Sequence, residues 1–304
     1  MPTALSLIAQ VHPMKALKRL IFLLLLTNVG YATTTVAAQH EHDHDHDHPV
    51  DSAQARDLVR QLSVASPYRI SPRARGGEID YRLTLAGGVT WQWPETGEQH
   101  AELHGTTTLL RVCDGCGQEA APSTELLQQF RRANAWVQSD HPSISKFARR
   151  HGDSPNIDGQ MQRLVKAVRA RMTGPIDFRD YLSAVDAYKK RSGDCTEFAV
   201  LLAAAARASG IPTRLVYGIA YSSHFTGQSH VFSPHNWVQA WNGERWRSYD
   251  AGFGQFDSGH IALLIYDGSP QRAAEVNAAI RALRIIDAAA VVRSEGSQAT
   301  PANE

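Results

Sequence analysis

The sequence predicts an α+β protein, and three observations carry that prediction. Residues 78–112 alternate apolar and polar side chains with period two. Residues 123–172 and 195–209 repeat their apolar side chains at helical spacing. Residues 213–266 return to short apolar strands broken by a tight-turn dipeptide. Strand runs and helix runs kept in separate stretches give antiparallel sheets with helices packed beside them, not a doubly wound parallel sheet.

The first 38 residues read as an export signal. Met14, Lys15, Lys18 and Arg19 form a basic start, Ile21 to Leu26 a greasy run, and Val36, Ala37 and Ala38 a small-residue cleavage site. The stretch before Met14 is long for such a signal, so translation is expected to begin at Met1 or at Met14. The apolar run is only about ten residues, against the ~20 that a membrane span needs. The mature chain is therefore expected to be periplasmic or extracellular, with no stable membrane span. A net charge of +1 leaves no electrostatic footprint for nucleic acid.

Residues 39–55 form a His/Asp-rich tether that cannot bury apolar area and is expected to be disordered. His42, His44, His46 and His48 alternate with aspartates there, a donor set suited to weak Zn or Ni binding. A plain solvated tether is the competing expectation.

Asp51 to Leu62 suits a short amphipathic helix. Ile79, Tyr81, Leu83 and Leu85 make a strand, Gly87-Gly88 a turn, Val89, Trp91 and Trp93 another strand, and 101–112 a further one. Together, residues 56–120 make a small antiparallel β module. Residues 121–292 make the larger domain, and 293–304 a disordered tail. In the larger domain, one helix is expected from an N-cap at Ser123 or Thr124 through Val137. A short one follows Pro142, and another carries Met161, Leu164, Val165, Val168 and Met172 on one face. Ala274 to Val292 suits a helix followed by a strand.

Three cysteines are present. Cys113 and Cys116, with Asp114-Gly115 between them, suit a local disulfide. Half a zinc site lacks its second pair, and the helix that a thioredoxin-like motif needs is broken by Pro122. Cys195 is then an odd thiol in an exported protein. It sits where Gly193-Asp194 opens an Ala/Leu-rich helix ended by Gly210, and a helix N-terminus favours thiolate.

His235 lies 40 residues further on, at the start of a strand, with His224, His230 and His260 as rivals. Asp250 ends the next strand, after Asn242-Gly243. If that dipeptide is a two-residue hairpin loop, His235 and Asp250 stand directly opposite each other. A carboxylate there fixes the imidazole tautomer and stabilises its cation.

These segments resemble the transglutaminase-like superfamily. The resemblance rests on Gly193-Asp194-Cys195-Thr196-Glu197, on Ser209-Gly210-Ile211-Pro212-Thr213-Arg214, on His235-Asn236-Trp237-Val238-Gln239-Ala240-Trp241 and on Trp246-Arg247-Ser248-Tyr249-Asp250. It implies a papain-like core with Cys195 as nucleophile, His235 as base and Asp250 as the orienting group. It also implies thiol-dependent acyl transfer or hydrolysis at amide bonds of protein or peptide substrates, through a thioester and with no required cofactor. Hydrolysis is favoured over cross-linking, because nothing marks an amine site. The resemblance covers about 155–270 and leaves the tether and the N-terminal strands unexplained. A non-catalytic binding protein on the same fold, and a metal-binding protein acting through the tail, are the alternatives. The Cys195 backbone N–H is one oxyanion donor; Tyr188 is a candidate for the second, with packing as its competing role. Trp237, Trp241 and Trp246 suit core or groove walls, Tyr249 the cleft, and Glu197 a first-turn helix position.

Overall fold

The structure is a computed structural model and describes residues 52–178 and 181–291. The chain runs α1 (Ser52–Gln61), β1 (Val64–Ala65), α2 (Pro72–Arg75), β2 (Glu78–Leu85), β3 (Gln99–His104) and β4 (Thr107–Val112). It continues through α3 (Thr124–Gln129), α4 (Pro142–His151), α5 (Ile157–Arg171), α6 (Ala184–Lys190) and α7 (Cys195–Ala208). It ends with β5 (Thr213–Phe225), β6 (Gln228–Trp241), β7 (Trp246–Tyr249), β8 (His260–Tyr266), α8 (Ala273–Ala282) and β9 (Leu283–Val291). The His-rich tether with His42, His44, His46 and His48, the export signal and the tail from 292 lie outside the described residues.

This is a mixed fold of helices and antiparallel sheets, as the periodicities indicate. One sheet is ordered β1-β6-β5-β8, with β7 paired to the same edge of β6 as β1. The other is ordered β3-β4-β2-β9. β6 therefore carries β1 at Val231 and Phe232 and β7 at Val238 to Trp241. Residues 233–237 lie between them, unpaired on that edge. The candidate site occupies this gap.

Two cores hold the layers together. On one face of the five-stranded sheet, α4 to α7 bury Ile144, Met161, Leu164, Val168, Leu201 and Leu202 against Leu215, Val238 and Ala240. α7 is apolar all round and accordingly buried all round. Between the two sheets, Ile79, Tyr81, Leu83 and Leu110 meet Ile219, Phe232, Ile261 and Leu263, and α8 adds Val276 and Ile280.

Several expectations need correction. Val89 to Trp93 form no strand; Trp91 and Trp93 instead anchor their loop by donating indole N–H groups to the Leu263 carbonyl (2.9 Å) and Thr108 Oγ1 (3.1 Å). The stretch 101–112 is two strands, turned at Gly105, whose φ is +63°. The helix from Thr124 stops at Gln129, because the Asn134 side chain accepts the backbone N–H groups of Trp136 and Val137 and folds that stretch as a loop. The four-stranded sheet also takes β9 from the far end of the chain, along Glu78↔Val291 to Leu85↔Leu283.

The β6–β7 hairpin is offset from the expected register. Trp241 pairs Trp246 and Val238 pairs Tyr249. The loop thus has four residues, 242–245, closed by an Asn242 side chain that accepts the N–H groups of Glu244 and Arg245. Continued by one pair, this register sets Asp250 opposite Trp237, and His235 becomes its diagonal neighbour on the same face. Diagonal pairs remain within reach of a long side chain.

Candidate active site

Cys195 occupies the first position of α7. Asp194 caps that helix: its carboxylate accepts the Thr196 N–H (2.8 Å), and Glu197 Oε2 accepts the Asp194 N–H (2.8 Å). Glu197 is fully buried, and its Oε1 also accepts the Leu182 N–H (2.9 Å). The carboxylate expected only to complement the helix dipole is thus a brace between the helix and the loop before it. Gly193 is required for this fit. Its φ is +153°, and a Cβ there would lie 2.5 Å from Glu197 carbons.

The thiol itself is half-buried. It was expected to ionise easily, and its surroundings act the other way. Desolvation pushes its pKa well above the ordinary thiol value and the Asp194 charge pushes it further, against a lowering contribution from the Asn236 backbone N–H aimed at the sulfur. The helix end that would favour thiolate already holds Asp194 and Glu197. Cys195 therefore rests as a thiol and needs a base.

Asn236 brings β6 to α7, because its side-chain amide donates to Thr196 Oγ1 (3.1 Å) and its carbonyl oxygen accepts from Tyr266 (2.8 Å). The preceding residue, His235, is 2% exposed. Its ring stacks on Phe253, with centroids 4.2 Å apart, and its Nε2 donates to Asp250 Oδ2 at 2.8 Å. With Nε2 committed, Nδ1 is the nitrogen left for proton transfer. Asp250 Oδ1 accepts the Gly252 N–H (2.7 Å), so both carboxylate oxygens are engaged. Arg169 holds the loop that follows by donating to the carbonyls of Ala251 (2.9 Å) and Gly252 (2.7 Å).

Sequence reasoning had kept His260 only as a rival base. The structure places it on the other side of Asp250, where its Nε2 donates to the same Oδ2 at 3.2 Å and its Nδ1 reaches Asp257 Oδ1 at 3.2 Å. Burial raises the Asp250 pKa, but the two imidazoles outweigh burial and hold it below the usual carboxylate range. Burial likewise works against charge on His260, yet the two carboxylates lift it to about 9. The imidazolium form of His260 is therefore the resting form at neutral pH. No local motif signals this role; the only clue is a histidine at the head of an otherwise apolar strand.

This raised value fixes a stability trend. His260 binds its proton more tightly folded than unfolded. Its contribution is thus fully present below about pH 6.5 and is lost as pH rises through about 9. Chemical denaturation across that range should show a loss approaching roughly 3 kcal/mol, and His260→Gln should remove most of the slope.

The remaining candidates have structural places. Cys113 and Cys116 are disulfide-bonded. Tyr188 packs against Phe147 and under the Arg171 guanidinium, and Arg171 also donates to its carbonyl. Trp237 and Trp246 are buried. Tyr249 is buried against α5 and donates its hydroxyl to Asp158. A cavity of about 510 Å³ near Val64, Arg281 and Arg284 includes none of the site residues. Among the described residues, His235, Asp250 and His260 also gather three possible metal-ligand atoms within 4.8 Å of one another. The hydrogen bonds between these groups already account for that convergence.

Part of the chain matches a described family. The transglutaminase-like superfamily matches residues 145–251. Among solved structures, a candidate cysteine protease from Cytophaga hutchinsonii is similar at 17% identity and a TM-score of 0.42, over 74% of this chain and 91% of that one. The periplasmic domain of TgpA from Pseudomonas aeruginosa is similar at 14% identity and 0.40, over 73% and 95%. Red sea bream transglutaminase is similar at 11% identity and 0.32, over 64% and 49%. No curated protein matches.

Proposed function

From the match of residues 145–251 to the transglutaminase-like superfamily, we propose that the chain is a thiol-dependent enzyme acting on amide bonds of proteins or peptides, with Cys195 as nucleophile, His235 as base and Asp250 as the orienting carboxylate. The observation that carries this reading is the 2.8 Å bond from His235 Nε2 to Asp250 Oδ2, formed beside the helix terminus that bears the thiol.

The proposed chemistry is nucleophilic. The Cys195 sulfur attacks the amide carbon as its proton passes to His235 Nδ1, and a C–S bond forms. The cationic ring is stabilised by Asp250. The intermediate collapses, the C–N bond breaks, and His235 returns the proton to the leaving amine. Water or an amine then opens the thioester. First-turn N–H groups have no helical partner, so the Cys195 N–H is available to the oxyanion. Because burial holds the thiol protonated, thiolate forms with the proton transfer rather than before it.

Export to the periplasm or the extracellular space fits the signal-like N-terminus and the Cys113–Cys116 disulfide. Among the described residues no helix is long and apolar enough to cross a membrane. No cofactor is needed for these steps, and weak Zn or Ni binding by His42, His44, His46 and His48 belongs to the tether alone.

The test is incubation of the purified protein with a glutamine-containing casein and a fluorescent amine. Ammonia, incorporated amine and new N-termini are read in parallel. At least one product is expected, with hydrolysis ahead of amine transfer, and none from Cys195→Ala. No product together with a Cys195 that iodoacetamide alkylates equally fast in wild type and in His235→Ala would leave a non-catalytic binding protein.

A further inference from the structure

We propose that His260 and Arg75 are positioning residues of this site, forming with Asp257 a buried ionic chain that fixes the oxygen of Asp250 on which His235 depends. The proposal rests on the thiol-enzyme reading above and extends it to residues outside the matched segment.

The chain of contacts is continuous. His235 Nε2 and His260 Nε2 donate to one oxygen, Asp250 Oδ2, at 2.8 and 3.2 Å. On its other side, His260 Nδ1 meets Asp257 Oδ1 at 3.2 Å and the Asp257 carbonyl at 3.0 Å. Asp257 in turn pairs with Arg75. Arg75 belongs to the short helix α2, and its carbonyl accepts the Ser258 N–H at 2.8 Å, so backbone and side chain both clamp the 257–258 turn. The members are deeply placed: His260 and Asp250 are 2% and 1% exposed.

Surroundings leave the ring no freedom. Trp237 and Phe256 flank it, with centroids 5.2 and 5.0 Å away, and Phe253 lies 6.0 Å away. The charged and titratable groups facing it are Asp250 and Asp257, with His235 beyond Asp250 and Glu98 lining the same small void. Asp194 and Cys195, at the start of α7, are the next titratable groups of the site.

The charges alternate along the chain: carboxylate, imidazolium, carboxylate, guanidinium. Two functions follow. The second imidazole fixes Oδ2 in place, so the carboxylate cannot swing away when His235 changes charge. The charged N–H of His260 also holds that oxygen more strongly than a neutral donor would. A carboxylate with a single histidine partner would supply neither.

The test uses the whole protein and the Cys195 thiol itself. Iodoacetamide alkylates that sulfur with loss of iodide, and Cys195→Ala supplies the blank. His260→Gln keeps a neutral donor near Asp250, and Arg75→Met and Arg75→Lys probe the far end of the chain. Below about pH 8, alkylation should slow about tenfold in His260→Gln, the low end of what partners of metal-bound ligands are worth. The wild-type to variant ratio should fall toward one as pH rises through about 9, where His260 loses its own proton. Arg75→Lys should recover most of what Arg75→Met loses. A thiol that slows in His235→Ala but shows a pH-independent ratio, or with Arg75→Lys no better than Arg75→Met, overturns the positioning role alone. A wild-type thiol that alkylates no faster than that of His235→Ala overturns both this proposal and the enzyme reading.

Discussion

Asp250→Asn should reduce turnover by about 10³- to 10⁴-fold, the scale seen when a triad carboxylate becomes an amide. The reason lies in the hydrogen-bond count. Asp250 presents one oxygen to the Gly252 N–H and the other to two imidazole N–H groups. An asparagine has only one oxygen. If it keeps Gly252, its NH2 faces two ring donors. His235 can then make that bond only by accepting at Nε2, which moves its proton to Nδ1, the nitrogen that must receive a proton from Cys195. The ring would remain in place in the wrong tautomer. A structure of the variant should show little movement, while the rate of casein hydrolysis or amine incorporation falls. Asp250→Asn also leaves a buried His260 imidazolium with only Asp257. Removing one partner of a buried ion pair commonly costs about 3–5 kcal/mol. Part of that loss should return already below pH 9, because without the Asp250 charge His260 sheds its proton earlier.

Glu197→Ala should be the most destabilising change near the site that leaves the three catalytic side chains untouched. The Glu197 carboxyl is buried and accepts two backbone N–H groups, those of Leu182 and Asp194. Each donor stranded without a partner costs about 1–3 kcal/mol. A combined loss of about 2–5 kcal/mol corresponds to a fall in Tm of roughly 5–15 °C for a unit of this size. Glu197→Gln retains a single oxygen and should lose about half as much. A Tm within 2 °C or so of wild type for Glu197→Ala would show that water replaces the brace. Burial and the Asp194 charge hold the Glu197 pKa well above the usual carboxyl range.

Much of this architecture was legible beforehand, and the reasons differ by element. The helix behind Cys195 was readable because its start, apolar body and Gly210 stop agree. The turn at Asn242 was readable from its dipeptide, but its length was not. Two-residue and four-residue loops share that dipeptide here, and only the Asn242 side chain, accepting two N–H groups, decides between them. His235 and Asp250 were thus brought together in the sequence reading by a register that the protein does not use. They meet because residues two apart on one strand share a face, which makes the conclusion tolerant of a two-residue slip. The expected low thiol pKa failed for a clearer reason. A helix N-terminus favours an anion only while no anion occupies it, and Asp194 does. His260, Asp257 and Arg75 left no local trace, because their relation is one of tertiary contact between segments about 180 residues apart.

The pairing of β2 with β9 has a consequence for how the protein comes into being. β2 is made early, yet its neighbour on one side arrives only with residues 283–291, roughly 200 positions later, a long loop to close. A chain threaded N-terminus first through an export channel would leave that edge open until its last strand emerges. The sheet that packs behind Asp257 and Arg75 would close only then.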